Sequence, residues 1–216
     1  MVCRPNASTG HQLAKLTTRA QKFVLPQKGR KFANRGLLVN RSLIKLHCMS
    51  ILSLGTRNAL VADAHGISVV HDASWRQAYS GLIPYKALDT MIRRRDANWW
   101  SRAIQNSTRV MVLEAADQIV GYATYGPNRV SALTHDGEVY ELYLMPEYQG
   151  VGLGKKLFLA AREELARLSM KGCVVWVLEE NQSAIRFYRN AGGDDIAEGN
   201  EVFNGKTLNK IAFAWS

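Results

Sequence analysis

The stretch LYLMPEYQGVGLGKKLF, residues 142–158, constrains the fold more than any other part of the chain. An apolar strand pattern gives way to three glycines within five positions, and then a helix pattern begins. Glycine is costly inside a helix, and cations are disfavoured at a helix N-terminus. Gly150, Gly152 and Gly154, followed by Lys155 and Lys156, break both rules together. The ensuing helix carries Leu157, Ala161, Leu165 and Leu168 on one stripe, and the next run, CVVWVL at 173–178, is continuously apolar, as in a buried parallel strand. Strand, glycine turn, helix and buried strand make a parallel β-α-β unit.

Such a unit aims successive backbone N–H groups outward at the helix N-terminus, and the glycines remove side chains that would block close approach. The resulting nest suits an anion, usually phosphate. A bound polyanion reverses the sign of the Lys155 and Lys156 terms, which are each only about 0.3–1 kcal/mol. A pyrophosphate outweighs them easily. The spacing is not G-x-x-x-x-G-K-[ST], which excludes a nucleoside triphosphatase loop. Nor is it G-x-G-x-x-G, and no acidic residue ends the next strand to hold a dinucleotide ribose.

Around this unit the signals are regular from residue 51. ILSLGTRNAL reads as a first strand. Asp63 is placed to cap a helix over 63–79 with Ile67, Val70, Ser74 and Ala78 on one stripe, and Pro84 to open a second helix carrying Leu88, Met91 and Ile92. RVMVLEAA and IVGYATYG form a hairpin across Asp117-Gln118, and GEVYELYLM (137–145) reads as a central strand. Asn181 caps a short helix stopped by Gly192, and a last hairpin turns at Asn204-Gly205. The order βααβββαβαββ predicts an α/β or α+β sandwich around a mixed sheet.

Charge separates two regions. Residues 1–62 contain eleven Lys/Arg and no Asp or Glu, whereas the remaining 154 hold 17 Lys/Arg against 18 Asp/Glu. The formal charge of +10 therefore belongs to the N-terminal stretch, and the body carries no bulk footprint for nucleic acid. Residues 1–50 show no sustained period and are set apart from a domain at 51–216. Three readings fit them: a disordered tail, a transit-like peptide, or upstream sequence before a true start at Met49, with the tail and the late start preferred. Cys3, Cys48 and Cys173 have no metal-ligand spacing and read as free thiols in a reducing, cytoplasmic setting. No apolar run approaches the ~20 residues of a membrane span. His11, His47, His65, His71 and His135 lack ligand or triad spacing, so no metal is expected. His71 reads as helix packing or a cleft residue, Trp99 and Trp100 as core or a helix end, and Arg93–Arg95 as a solvated helix face or a site for acidic groups.

The segment 142–158 resembles the acetyl-CoA-binding motif Q/R-x-x-G-x-G/A of the GNAT superfamily of N-acetyltransferases, with Gln149, Gly152 and Gly154 on the pattern. VWVLEENQSAIRFYRNAGG resembles the family's next motif through Asn181, Ala184, Phe187, Tyr188 and Gly192, with Gly193 where Phe is commoner. VHDASWRQAYSGLIP resembles the first helix and turn of many bacterial members. The resemblance covers about residues 54–216. It implies a GNAT-like fold, with a mixed, mostly antiparallel sheet flanked by helices, and acetyl transfer from acetyl-CoA to a primary amine. Gly150, Val151, Gly152, Leu153, Gly154 and Lys155 would bind the pyrophosphate. Leu142, Tyr143 and Leu144 would flank the pantetheine, and an N–H near Leu144 would face the oxyanion, a contact worth ~2.7–4 kcal/mol. Asn181 would contact CoA or cap its helix, and Tyr188 would protonate the thiolate or serve as a half-buried aromatic. A lysine-like amine of pKa ~10.4 costs about 4.6 kcal/mol to present neutral at pH 7, so a base is expected. Glu138, eleven residues before Gln149, matches the glutamate of the histone-acetylating branch and ranks ahead of Glu141, which alternation puts on the opposite face; either also reads as a solvated strand charge. The ribosomal branch has a glutamate where this chain has Trp176. The implied partner is a small-molecule or peptide amine, with no membrane and with a monomer or homodimer expected. Two other readings are a catalytically silent acyl-CoA sensor and a nucleic-acid binder acting through its basic N-terminus.

Overall fold

The computed structural model describes residues 54–203 and 205–216, so the N-terminal readings, Cys3, Cys48 and the turn residue Asn204 lie outside the described residues. The chain runs β1 (Gly55–Asn58), a 3-10 turn (Val61–Asp63), α1 (Ala64–Tyr79), α2 (Tyr85–Arg93), α3 (Ala97–Gln105), β2 (Val110–Ala115), β3 (Gln118–Pro127) and β4 (Gly137–Leu144). A second 3-10 turn (Pro146–Tyr148) leads to α4 (Leu153–Arg167), β5 (Cys173–Leu178), α5 (Gln182–Asn190), β6 (Asp194–Phe203) and β7 (Lys206–Trp215). One seven-stranded sheet has the order β1-β2-β3-β4-β5-β7-β6, and all its pairs but β4–β5 are antiparallel. The mixed, mostly antiparallel sheet with a parallel β-α-β unit is as the sequence predicts.

Each face of the sheet has its own apolar core. The α1 stripe of Ile67 and Val70, joined by Trp75, Leu88 of α2 and Trp100 of α3, packs on Val112, Tyr122 and Tyr143. On the other face, Leu157, Ala161 and Leu165 of α4 and Ala184 and Ile185 of α5 meet Val139, Leu142, Val175 and Val177. Leu168 falls outside this stripe, since α4 ends at Arg167 and Leu168 is exposed.

Several local features differ from the sequence expectation. Asp63 does not cap α1; its carboxylate accepts from the Leu60 N–H at 2.7 Å and pairs with Arg57, which tightens the 3-10 turn instead. Pro84 sits just before α2 as its N-cap. A third helix, α3, joins the two expected on this face, and Asp96 caps it by accepting from the Trp99 N–H at 2.8 Å. The β2–β3 turn uses Ala116 and Asp117, at φ 49° and 60°, one residue earlier than expected. Gly193 has a packing cause, because a Cβ there would lie 2.4 Å from the Trp215 ring, which occupies the space a larger residue would need.

Two irregularities in β4 shape the cleft beside it. The parallel pairing with β5 holds only at Gly137↔Cys173 and Glu138↔Val174, although both strands continue, so they part beyond that seam. On its other edge, Thr124 pairs with Glu141 and Tyr125 with Val139, leaving Tyr140 as an extra residue on β4. This bulge bends the strand and resets its alternation. Val139, Leu142 and Leu144 all face the α4 core, while Tyr143 faces α1. Glu138 and Glu141 consequently share the α1 face, contrary to simple alternation.

Candidate active site

The glycine loop enters α4 through residues in left-handed backbone geometry, with Gly150 at φ 79° and Gly152, the N-cap, at φ 88°. Among the described residues no side chain caps the first turn of α4. The first N–H groups of a helix have no partners within it, so here they face outward and present partial positive charge. Gly150, Gly152, Gly154 and Lys155 line a cleft of about 190 Å³ together with Phe187, Asn190 and Ala191 from the end of α5. Val151 is exposed and Leu153 half-buried; both can offer the loop their backbone groups. Only one of the two lysines lines the cleft, because Lys156 Nζ instead donates to the Leu54 carbonyl at 2.9 Å.

Beside the loop lies the open edge of β4. The Met145 N–H bonds back to the Val120 carbonyl at 2.8 Å. Peptide directions alternate along an antiparallel strand, so the Leu144 and Leu142 N–H groups point the other way, into the gap left by β5. The Leu144 carbonyl accepts from Ser74 Oγ at 2.8 Å and from Gln149 Nε2 at 3.0 Å, which fixes the orientation of this edge. Gln149 is buried and also reaches Gln77 at 3.2 Å, so its side chain ties the loop to α1. Ser74 thus holds the Leu144 carbonyl, although its place on the α1 stripe marks it in the sequence only as a packing position.

Glu138 and Glu141, both at most 1% exposed, are each held by an arginine. The Arg129 backbone N–H and Nε donate to Glu138 Oε2 at 3.0 and 3.1 Å, and Nη2 donates to Oε1. Arg95 donates to Glu141 Oε1, and the Tyr122 hydroxyl lies 3.4 Å from Oε2. Arg95 is therefore no part of a solvated face. It is buried with its guanidinium carbon 5.0 Å from the Trp99 ring centre, whereas Arg93 stays in solvent, bridged to Asp89. No charge period marks Arg95; its signal in the sequence is only three aromatic residues, Trp75, Trp99 and Trp100, with no evident partner. His71 is fully buried and packs against Trp75, with Nδ1 2.8 Å from the Tyr122 hydroxyl. Burial, reinforced by Arg95, holds its pKa well below the ordinary value.

Asn181 caps α5 by accepting from the Ala184 N–H at 3.2 Å. Tyr188 lies in the α4 core with its ring 5.4 Å from Phe158 and 5.8 Å from Trp215. Burial, and to a smaller extent the Cys173 thiol, holds its hydroxyl well above the usual phenol range. The Cys173 thiol is itself pushed up to about 12 by burial. Among the described residues no helix is long and apolar enough to cross a membrane, and no group of three ligating side chains could hold a metal ion.

A cleft with an uncapped helix N-terminus, opening on a parted sheet, is the setting in which the likeness to known proteins falls. The model of the acetyltransferase (GNAT) family matches residues 71–192. The N-acetyltransferase YuaI of Bacillus subtilis (strain 168), itself uncharacterized, is 32% identical over 163 residues, 74% of this chain and 91% of YuaI. The spermidine N(1)-acetyltransferase of Thermoplasma acidophilum is 23% identical over 65% of this chain and 88% of its own length. The crystal structure of the PaiA N-acetyltransferase from Thermoplasma acidophilum in complex with coenzyme A superposes with a TM-score of 0.58 at 20% identity, covering 74% of this chain and 98% of that one. The chain belongs to the acetyltransferase (GNAT) family and is an N-acetyltransferase.

Proposed function

We propose that this enzyme transfers the acetyl group of acetyl-CoA to a primary amine by direct attack of the amine on the thioester. The observation that carries this reading is the placement of an uncapped, glycine-entered helix N-terminus beside a strand edge whose neighbour has turned away. The N–H groups of Gly150 to Lys155 would hold the pyrophosphate, and Lys155 would add a cation at the cleft wall. A thioester lying in the gap would meet the Leu142 and Leu144 N–H groups, which would then donate to the oxygen on which negative charge develops. Ser74 and Gln149 would keep that edge in place through the Leu144 carbonyl.

Tyr188 is assigned as the acid for the departing thiolate. Its raised pKa keeps the proton on the phenol at neutral pH, the form an acid needs. Of the two glutamates, Glu141 is the better candidate for drawing the amine proton away through water. At ~3.3 Å per residue it stands about 10 Å from Leu144 along the strand, against about 20 Å for Glu138. Each carboxylate is held by an arginine, so distance along the strand is what separates them. This reverses the order suggested by motif spacing alone.

The acceptor would approach from the α1 face, where the α1–α2 loop meets the β6–β7 hairpin. Spermidine, acetylated by the Thermoplasma acidophilum relative, is one acceptor to test. The test is titration calorimetry with CoA, then thiol release from acetyl-CoA across an amine panel. Saturable CoA binding with amine-dependent thiol release is expected; CoA binding without release from any amine overturns acetyl transfer.

A further inference from the structure

The bulge at Tyr140 turns Glu141 onto the α1 face, and bulges re-aim side chains beside active sites. What Glu141 meets there is a buried polar cluster. Arg95 holds Oε1 from the α2–α3 junction. Tyr122 of β3 is in register with Tyr143, two positions beyond Glu141, so it stands diagonally across the strand pair with its hydroxyl 3.4 Å from Oε2. His71 of α1 stands behind it, with Nδ1 2.8 Å from the same hydroxyl. The titratable groups that complete the surroundings are Tyr79 of α1 and Tyr143 of β4, which are hydrogen-bonded to each other. All of these side chains are buried.

Proton counting gives the cluster a direction. A phenol has one proton, and here two neighbours could accept it. Burial and Arg95 keep His71 neutral, so one ring nitrogen carries a proton and the other does not. With the proton on Nε2, a buried N–H would be orphaned, since Nε2 has no partner among the described residues. Tyr122 would then donate to Nδ1, and its oxygen would face the Glu141 carboxylate with no proton between them. With the proton on Nδ1, every proton has an acceptor: His71 donates to the Tyr122 oxygen, and the Tyr122 hydroxyl donates to Oε2. Only one ring lone pair is left unmatched. This arm cannot reverse. Oε1 is taken up by Arg95, so a proton added to Glu141 goes to Oε2. The Tyr122 hydrogen then has no acceptor to turn to, because Nδ1 already bears a proton. The arm therefore favours the ionised carboxylate, the form that a base needs.

Resting on the reading of Glu141 as the base, we propose that Tyr122 and His71 are positioning residues for acetyl transfer, a one-way hydrogen-bond arm that holds the Glu141 carboxylate ionised and aimed. His71 and Ser74 lie three positions apart on α1, so one face of one helix fixes both the base and the Leu144 carbonyl.

Two measurements test the arm. Nitrogen NMR of the folded protein reads the imidazole tautomer without turnover. His71 should carry its proton on Nδ1 at pH 7, and a proton on Nε2 overturns the proposal. The second measurement is the pH profile of kcat/KM for acetyl-CoA with the amine that gives the fastest thiol release. Glu141→Gln should remove the lower break in this profile. Tyr122→Phe should keep the break and move it to higher pH by about one unit, the size of a hydrogen bond to a charged group, with CoA affinity unchanged. His71→Leu should move it the same way, and His71→Gln, which keeps a side-chain N–H, should restore part of the shift. A purely structural role would lower the rate equally at every pH. A break that Glu141→Gln removes and Tyr122→Phe leaves in place overturns the arm while the base assignment stands. A break untouched by Glu141→Gln overturns the base assignment, and the arm with it. If the variants fail to fold, the tautomer in the wild-type protein decides.

Discussion

Tyr188 and His71 are both buried, and burial moves their pKa values in opposite directions because one is charged when deprotonated and the other when protonated. For Tyr188→Phe, CoA affinity should be unchanged while turnover falls by the ~10²–10⁴-fold typical of acid–base catalysis. An ordinary phenol titrates near pH ~10. The wild-type rate should therefore show no alkaline loss from this group up to about that pH. A pH–rate profile with Glu138→Gln and Glu141→Gln alongside checks the base. Glu141→Gln should lose rate near neutrality and recover it at high pH, where free amine is abundant, while Glu138→Gln should not. His71 bears on stability. Its native pKa is depressed, so the native state stays neutral where the unfolded chain takes up a proton. Its contribution is whole above the unfolded value of ~6.5 and is lost as pH falls below it, by about 1.4 kcal/mol per pH unit. Urea unfolding between pH 7.5 and pH 5 should show this slope, and His71→Gln should remove that share of it.

At the scale of elements, the α4 entry is the most exacting piece. Gly152 stands at φ 88° with open space where a Cβ would go, so Gly152→Ala costs backbone strain rather than a clash, ~1–2 kcal/mol. Reshaping the loop should weaken CoA binding about tenfold for each ~1.4 kcal/mol lost. Gly205→Ala has the same left-handed geometry and open space at the β6–β7 turn, and should cost similar stability without touching CoA affinity. Thermal unfolding and calorimetry on both variants separate the two effects. The loop is legible in sequence because glycines and lysines break helix rules in a fixed order, and the two apolar runs around it identify the parallel unit. Two features leave no such trace. In α3 only Trp100 and Ala103 are buried, too few for a stripe over nine residues, and its Asp96 cap comes after a run of three arginines that reads as surface. The β4 bulge at Tyr140 arises from pairing with β3, and GEVYELYLM has no proline and no glycine beyond its first residue to announce it. Without that bulge the two glutamates cannot be put on the same face.

At the scale of the molecule, the halves of the sheet meet along a seam of two residue pairs, and a ligand in the gap would contact both. CoA at a hundred times its Kd should stabilise the protein by about 2.7 kcal/mol. For a chain of this size that raises Tm by ~5–10 °C, which differential scanning fluorimetry reads directly. A chain beginning at Met49 should show the same shift, since β1 and the residues that line the glycine cleft all lie after it. Loss of the shift in that shorter chain would show that the basic segment takes part. An unpaired strand edge normally invites another chain to add itself, and proteins blunt such edges with charge, proline or cover. Here the open stretch of β4 lies in the middle of the sheet, between β3 and the diverging β5, with the α4 core on one side and the α1 core on the other. A second polypeptide strand would have to thread its side chains between two packed cores to reach it. A slender chain of amides and methylenes would not. The protein thus keeps the adhesive chemistry of a sheet edge where aggregation cannot use it.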